Sequence, residues 1–492
     1  MRVPARPTLY EINTAVWLAQ IGRARGHTLG LADVSGAEWD ALAGIGVDAV
    51  WLMGVWQRSP AGRAAALTEP QLLAGYRAAL PDLRTADVIG SPYCVRDYIV
   101  DERFGGPDGL AAAREQLAQR GVALILDYVP NHIAADHPWV TDRPECLLAG
   151  SEEELARHPE AFMQTAGGVF AKGRDPYFAP WQDVLQLNAY APVLRDAAAG
   201  TVIAIGDQCD GLRCDMAMLM TNEVFARTWG ERAGPAPDAD YWPALISAAR
   251  QAHPDLLFIA EVYWDMEWTL QQHGFDLCYD KRLYDRLHHD SPAALVDHLR
   301  ADAFYQDHLI RFVENHDEPR AAATFEAERG RAAAVVMSTL PGARLYHDGQ
   351  LNGHRIQLPV QLGRGPDEPA DSDLRAFHER LLRAVADAQL RHGDWRLCDC
   401  TRWSESDDDP HPQLVAWCWS SSSARHLVVV NLSPDPAQGR VRLAWDDLGG
   451  RGWSLADRLS EDRFERSGDE LASTGLRIVL EAWGSRFLAL GS

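Results

Sequence analysis

The chain has 492 residues, which is enough for about three domains or for one large barrel with additions. With 47% hydrophobic and 24% charged residues, its composition is ordinary for a folded globular protein and excludes disordered and fibrous classes. The 70 acidic side chains outnumber the 47 Lys and Arg side chains, and the net charge of −23 makes nucleic acids and anionic membranes poor partners.

Short apolar runs alternate along the chain with helical stretches rich in Ala, Leu and Arg, a pattern typical of βα units and a parallel sheet. Strands are predicted over Leu9–Val16, Ala49–Met53, Leu124–Val129, Gly211–Met216, Leu256–Glu261, Phe275–Tyr279, Leu309–Asn315 and Ala343–His347. Helices are predicted between most of these strands, among them Gly109–Arg120, Tyr241–Ala252 and Ala321–Thr339. Eight parallel strands with interleaved helices predict a (β/α)8 TIM barrel. Other α/β folds also show seven or eight such runs, so the pattern alone leaves them open.

Two parts of the chain do not follow the βα alternation. The third and fourth predicted strands are about 80 residues apart, which is more than one crossover helix needs. After residue 392, short strands separated by turn residues replace the alternation. We therefore predict barrel domain A at 1–132 and 186–392, an inserted domain B at 133–185, and a C-terminal all-β sandwich domain C at 393–492.

No export or membrane segment is recognisable. No apolar h-region follows the first eight residues, and no run of about 18 apolar residues is present. The eight cysteines lack CxxC spacing, and several lie in apolar runs where buried free thiols are usual. We expect a cytoplasmic protein with no membrane partner, and the sequence leaves the oligomeric state open.

Acidic residues stand at the ends of four predicted barrel strands. They are Asp127, Asp215, Glu261 and Asp317. A single Asp at a strand end is more often a turn or helix-cap residue. In a TIM barrel, however, the carboxyl ends of the strands form the face that carries active sites. Four acids in order at this face therefore predict a catalytic site.

Two of these acids have surroundings that suit different catalytic roles. Arg213 and Asp215 lie two residues apart, so both side chains point to one face of a strand, and the cation favours an ionised Asp215. Glu261 follows the apolar run Leu256–Ala260, where desolvation favours a protonated carboxyl. Such a pair is suited to glycosidic bond cleavage with retention if the carboxyls are about 5–5.5 Å apart. Asp317 would be a third acid at the same site, beside this pair.

These motifs resemble those of the α-amylase family of retaining glycoside hydrolases (glycoside hydrolase family 13). The segments that carry the resemblance are Asp127–His132, Gly211–Asp215, Phe258–Glu261 and Phe312–Asp317, in the family's order. The resemblance implies that Asp215 is the nucleophile, Glu261 the acid/base and Asp317 the transition-state stabiliser, with Asp127 a structural residue of its motif.

The resemblance also implies a set of substrate-binding residues. Tyr93–Tyr98, followed by Phe104–Gly106, is similar to the family's tyrosine segment, in which Tyr93 would stack under the sugar that reacts. The other predicted substrate-binding residues are Asp97, His132, Arg213, His316, Trp264 and Arg320. Many relatives bind Ca²⁺ between barrel and domain B through the Asn of the first motif, which makes Asn131 a candidate ligand. Calcium takes six to eight oxygen ligands, and the sequence does not place the others.

The chain departs from many α-amylases in ways that bear on the substrate. Met218 and Leu219 stand where a Lys-His pair binds the leaving-group side, which argues against endo-acting starch hydrolysis. Trp264 offers an aromatic ring on the acceptor side, which favours transfer to a sugar, although simple packing explains it equally well. Arg320 belongs to a Glu-Pro-Arg segment similar to that of members acting on small saccharides.

We therefore predict an enzyme that cleaves α-glucosidic bonds of α-glucan oligosaccharides or small α-glucosides through a covalent glycosyl-Asp215, with no required cofactor. Transglycosylation of the 4-α-glucanotransferase type, or activity on sucrose or trehalose, shares the first step and stays open. A non-catalytic carbohydrate-binding or interaction protein is a remote alternative, because such relatives typically lack one of the three acids.

Overall fold

The computed structural model describes residues 2–388, 390–403 and 411–491. Its strands are β1 (Thr8–Asn13), β2 (Ala49–Met53), β3 (Trp56–Arg58), β4 (Val95–Val100), β5 (Ala123–Tyr128), β6 (His132–Ala134), β7 (Phe162–Thr165), β8 (Gly168–Ala171), β9 (Val184–Gln186), β10 (Gly211–Cys214), β11 (Leu257–Ala260), β12 (Leu277–Tyr279), β13 (Leu309–Arg311), β14 (Ala343–His347), β15 (Asp394–Cys398), β16 (Cys400–Thr401), β17 (Leu414–Ser420), β18 (Arg425–Asn431), β19 (Ala437–Val441), β20 (Gly452–Asp457), β21 (Arg463–Ser467), β22 (Leu476–Leu480) and β23 (Ser485–Gly491).

The α-helices are α1 (Thr14–Arg25), α2 (Gly36–Gly44), α3 (Pro60–Ala66), α4 (Pro70–Ala79), α5 (Gly106–Gln119), α6 (Trp139–Asp142), α7 (Glu152–Arg157), α8 (Pro192–Gly206), α9 (Asn222–Trp229), α10 (Tyr241–Ala252), α11 (Glu267–Gln272), α12 (Lys281–His289), α13 (Pro292–Leu299), α14 (Ala303–Asp307), α15 (Ala321–Thr324), α16 (Ala327–Thr339), α17 (Ser372–Asp387) and α18 (Gly468–Ser473). None of the described helices has both the length and the apolar character that crossing a membrane requires.

Eight strands form a closed parallel barrel, so the predicted TIM barrel is confirmed. Their order around the barrel is β1-β14-β13-β12-β11-β10-β5-β2. Every residue of β2, β5 and β10 is buried, as expected for parallel strands that are covered on both faces. This burial explains why β2 and the first four residues of β5 appear in the sequence as continuous apolar runs.

Several strands are shorter than the sequence predicts. The run Leu9–Val16 ends as a strand at Asn13, because the Asn13 side chain accepts a hydrogen bond from the Val16 N–H and caps α1. The strands β10 and β11 end one residue before Asp215 and Glu261. Both acids therefore lie just past their strands, where side chains can turn into the mouth of a barrel.

The chain divides into two compact units, of which the first consists mainly of Leu9–Tyr279. It includes the segment predicted as inserted domain B. Antiparallel pairing of β6 with β9, with His132 opposite Gln186, joins the two ends of that segment. A second antiparallel pair, β7 with β8, lies inside it. The inserted segment is thus closed at its base by a short two-stranded sheet.

The second unit consists mainly of Asp280–Arg355 and Glu368–Ser492. Its C-terminal part contains a six-stranded sheet, in the order β15-β17-β18-β23-β20-β21, and a three-stranded sheet, β16-β19-β22. Strand pairing within both is antiparallel. Side chains from both sheets, including Val429, Leu488, Val441 and Ile478, share one apolar core. The predicted C-terminal β-sheet domain is confirmed, with one short helix, α18, added to it.

Candidate active site

Strand register brings Asp215 and Glu261 side by side. Cys214 is the partner of Ala260 in the parallel pairing of β10 and β11, so the next residue of each strand, Asp215 and Glu261, leaves the sheet at the same level. The Asp215 N–H donates to the Tyr128 carbonyl (2.8 Å) and the Glu261 N–H to the Cys214 carbonyl (3.1 Å). The sheet's hydrogen bonds therefore extend far enough to fix both backbones.

A single guanidinium group joins the two carboxyls. The Nη1 of Arg213 donates to Asp215 Oδ1 (2.7 Å), and its Nη2 lies 2.7 Å from Glu261 Oε2. The exposed fraction of the side chain is 1% for Arg213, 8% for Asp215 and 4% for Glu261. Removing such carboxylates from water is costly unless a cation compensates, so Arg213 holds both acids in place. Asp127 lies farther off, with its Oδ1 3.9 Å from Nη1.

Aromatic rings surround this guanidinium. The Arg213 Cζ lies 5.2 Å from the ring centre of Trp51, 5.2 Å from that of Tyr93 and 5.7 Å from that of Tyr279. Although burial opposes the charged form, the nearby charge of Glu261 raises the pKa of Arg213 above its ordinary value. The structure thus brings the predicted residue Tyr93 into the cluster. It adds Trp51 and Tyr279, which the sequence presents only as members of strand runs.

The Glu261 carboxyl is held at both oxygens. Met216 has a left-handed backbone (φ 42°), unusual for a residue with a side chain, and its N–H donates to Glu261 Oε2 (2.7 Å). The Tyr263 hydroxyl donates to Oε1 (2.8 Å). Tyr263 is absent from the predicted site, although its spacing of two residues from Glu261 is the signal that could have indicated it.

Removing the Tyr263 hydroxyl tests whether this bond positions Glu261. We expect Tyr263→Phe to lower kcat roughly tenfold or more, since a hydrogen bond to a charged group contributes about 1.5–3 kcal/mol. The alkaline limb of the pH–rate profile should move to higher pH, because a donor that favours ionised Glu261 is lost. The control is Tyr190→Phe, which removes a hydroxyl bonded to the Asn222 carbonyl. An unchanged alkaline limb in Tyr263→Phe would leave Tyr263 with a packing role only.

His132 and Asn131 lie at the base of the inserted segment. His132 is 5% exposed, its ring is 5.1 Å from that of Trp181, and burial lowers its pKa to about 4. At neutral pH it is therefore an uncharged imidazole. The Asn131 side-chain oxygen, the predicted Ca²⁺ ligand, accepts a hydrogen bond from Gln186 Nε2 (2.8 Å). Among the described residues, no three His, Cys, Asp or Glu side chains form a group that could hold a metal ion.

Two other predicted substrate-binding residues lie on separate elements. Asp97 is on β4, opposite Gln57 in a two-stranded sheet with β3. Trp264 lies in the turn after Glu261 with a left-handed backbone (φ 61°), and its ring centre is 4.8 Å from that of Tyr177. Tyr177 is 56% exposed, so the pair forms an accessible aromatic surface beside the acid-bearing turn.

The remaining predicted residues belong to the second unit. After β13, the Asn315 side chain accepts hydrogen bonds from the N–H groups of Asp317 (2.9 Å) and Glu318 (2.8 Å), which fixes the turn. His316 Nε2 lies 3.0 Å from Asp317 Oδ2, and the Asp317 side chain is 46% exposed. Arg320 Nη1 donates to the buried Glu314 (2.7 Å) and to the Asp348 carbonyl (2.7 Å).

Comparisons with known proteins agree with this fold. A model of the α-amylase catalytic domain matches residues 28–160. The α-amylase MalA of Haloarcula japonica is 27% identical over 81% of the chain and 52% of its own length. The 1,4-α-glucan branching enzyme GlgB of Pseudomonas putida is 24% identical over 68% of the chain and 48% of its own length. The maltogenic α-amylase AmyB of Thermotoga neapolitana superposes with a TM-score of 0.69 at 17% identity, over 99% of both chains.

The fold is a closed parallel barrel with two buried acids that follow adjacent strands. These matches bear out the predicted resemblance to the α-amylase family. The relatives include hydrolases and glucan transferases. The chain spans about half the length of the curated relatives it matches.

Proposed function

We propose that the chain is a retaining enzyme that acts on α-glucosidic bonds of oligosaccharides or small α-glucosides. The observation that carries this proposal is the shared guanidinium of Arg213, with Asp215 and Glu261 each 2.7 Å from one of its nitrogens. Two carboxyls held by one side chain favour the close spacing of retaining enzymes, about 5–5.5 Å, over the wider spacing of inverting ones.

The proposed reaction has two displacements. In the first, an oxygen of Asp215 attacks the anomeric carbon while Glu261 gives its proton to the departing glycosidic oxygen, so that the C–O bond breaks and a glycosyl-Asp215 ester forms. In the second, Glu261 takes a proton from water or a sugar hydroxyl, whose oxygen attacks the same carbon and releases Asp215. Arg213 favours the ionised carboxylate of Asp215 before the attack and again when the ester is cleaved.

We propose supporting roles for residues of the second unit on the basis of the sequence resemblance. Asp317 would stabilise the transition state and His316 would donate to the same sugar. The contacts of Arg320 with Glu314 and with the Asp348 carbonyl favour a positioning role, in which it fixes the loop that follows β13. Direct substrate binding by Arg320 would require it to exchange these partners.

Two observations bear on the substrate. Met218 and Leu219, which replace the Lys-His pair, are 0% and 2% exposed, so these positions pack into the protein and offer no polar group to a sugar. The accessible ring pair of Trp264 and Tyr177 suits stacking on an acceptor sugar. The first supports short substrates over polymeric starch. The second favours glycosyl transfer as the alternative to hydrolysis.

A panel of defined saccharides tests the proposal. We expect product formation from members of the series maltose to maltoheptaose, or from sucrose or trehalose, when products are separated by chromatography. Products longer than the substrate would indicate transfer, and shorter ones alone hydrolysis. Retention predicts that the α-anomer forms first, which NMR of fresh products measures. Rapid release of mid-sized fragments from starch, or an initial β-anomer, would contradict the proposed specificity or mechanism.

A further inference from the structure

The side-chain amide of Gln186 lies where the inserted segment returns to the barrel. Gln186 is the last residue of β9, is 0% exposed, and stands opposite His132 in the pairing of β6 with β9. We call the place where the inserted segment meets the barrel the joint. Asn131, the neighbour of Gln186 across this joint, follows β5 and is 1% exposed. The joint is therefore closed to solvent, and its polar atoms must satisfy one another.

Three oxygen atoms converge on the Gln186 amide nitrogen. Nε2 lies 2.8 Å from Asn131 Oδ1, 2.9 Å from the Asn131 carbonyl and 3.0 Å from the Leu187 carbonyl. On the other side of the amide, Gln186 Oε1 accepts from Asn131 Nδ2 (3.3 Å) and from the Arg174 N–H (3.4 Å). The reversed amide would set an oxygen against three acceptors, so the chemistry of the partners fixes the nitrogen on this side.

These three oxygens are of the type that calcium binds. Backbone carbonyls and the side-chain oxygen of Asn are ordinary Ca²⁺ ligands, and Asn131 is the residue that the family resemblance marks as one. Here a hydrogen-bond donor occupies their centre. Calcium needs six to eight oxygens at 2.3–2.6 Å, with carboxylates among its usual ligands. The donor set at this joint therefore does not fit a calcium ion.

We infer that the amide nitrogen of Gln186 takes the place of a cation at this joint and fixes the inserted segment to the barrel without metal. The partial positive charge of the N–H₂ group compensates the three oxygens, as a cation would. The same amide pair also contacts His132, a predicted substrate-binding residue, because Asn131 Nδ2 lies 3.4 Å from Nδ1 of His132. This inference does not depend on which reaction the chain performs.

Thermal unfolding of the full chain with millimolar Ca²⁺ or with a chelator tests the inference directly. We expect the midpoint of the wild-type chain to be the same in both conditions, and titration calorimetry to detect no Ca²⁺ binding. A saturable Ca²⁺ signal accompanied by a rise of the midpoint would overturn the inference. This measurement needs no variant and no knowledge of the substrate.

Variants of Gln186 test the role of the amide. We expect Gln186→Ala to lower the midpoint by several degrees in both conditions, because Asn131 Oδ1 and the carbonyls of Asn131 and Leu187 each lose the hydrogen bond from Nε2. Gln186→Glu should lower the midpoint further in both conditions, since a carboxylate would face the same three oxygens and calcium does not fit between them.

The matched control is Gln182→Glu. Gln182 is an exposed residue of the inserted segment, and its Oε1 accepts from Lys172 Nζ (2.5 Å), a bond that Glu retains. The bonds that Glu loses, from Nε2 to the Glu160 and Pro180 carbonyls, are exposed, so this variant should lose little stability and by the same amount with and without Ca²⁺. A Gln186→Glu chain as stable in chelator as Gln182→Glu would overturn the role assigned to the Gln186 amide.

Discussion

Replacing Asp215 with Asn should lower turnover by roughly four orders of magnitude or more, because the amide cannot attack the anomeric carbon. The fold should survive, since Arg213 keeps its contact with Glu261 and the backbone N–H of residue 215 keeps its bond to the Tyr128 carbonyl. Steady-state rates on the best saccharide of the panel measure the first effect. The thermal unfolding midpoint measures the second.

The control is the acid that precedes the same strand. Asp210 Oδ2 accepts from the Leu124 N–H (2.9 Å), and its Oδ1 lies 3.1 Å from Arg114. Its role is therefore structural, and Asp210→Asn should lower the unfolding midpoint while leaving the rate of the folded enzyme nearly unchanged. The proposal would fail if Asp215→Asn retained appreciable turnover, or if both variants lost activity only in proportion to lost stability.

The barrel could be predicted from the sequence because its strands are buried on both faces. Runs such as Ala49–Met53 and Ala343–His347 coincide with the observed strands. Strand ends were harder to predict, because apolar residues continue along the sequence past the last backbone hydrogen bond of the sheet. The predicted helix Ala321–Thr339 is two helices, since Phe325 and Glu326 adopt extended backbones between them. Local conformations of this kind depend on tertiary contacts, which the hydrophobic periodicity of a sequence does not reveal.

The candidate site was predictable to the extent that its residues follow barrel strands. Spacing of two residues already pairs Arg213 with Asp215, but only the register of β10 and β11 shows that the same guanidinium reaches Glu261. Tyr263 and Gln186 were not predicted as site residues. Their roles arise from hydrogen-bond partners, and a sequence without a structure does not identify the atoms that a hydroxyl or an amide faces.

Replacing Glu261 with Gln should produce a loss that depends on the leaving group. An amide has no proton to give, so we expect turnover of maltooligosaccharides to fall roughly 10²–10⁴-fold. An α-glucosyl fluoride, whose leaving group needs no proton, should still form glycosyl-Asp215. Mass spectrometry of the peptide that contains Asp215 should then detect the trapped ester, because the base that activates water is also missing.

The control, Glu267→Gln, changes a buried acid on the nearby helix α11. Any loss in Glu267→Gln should be the same for both substrates, because this residue would act only through the fold. An equal loss for both substrates in Glu261→Gln would assign the proton to another group. It would also leave the Arg213 cluster as a structural ion pair, in which Glu261 compensates a buried cation and takes no part in the chemistry.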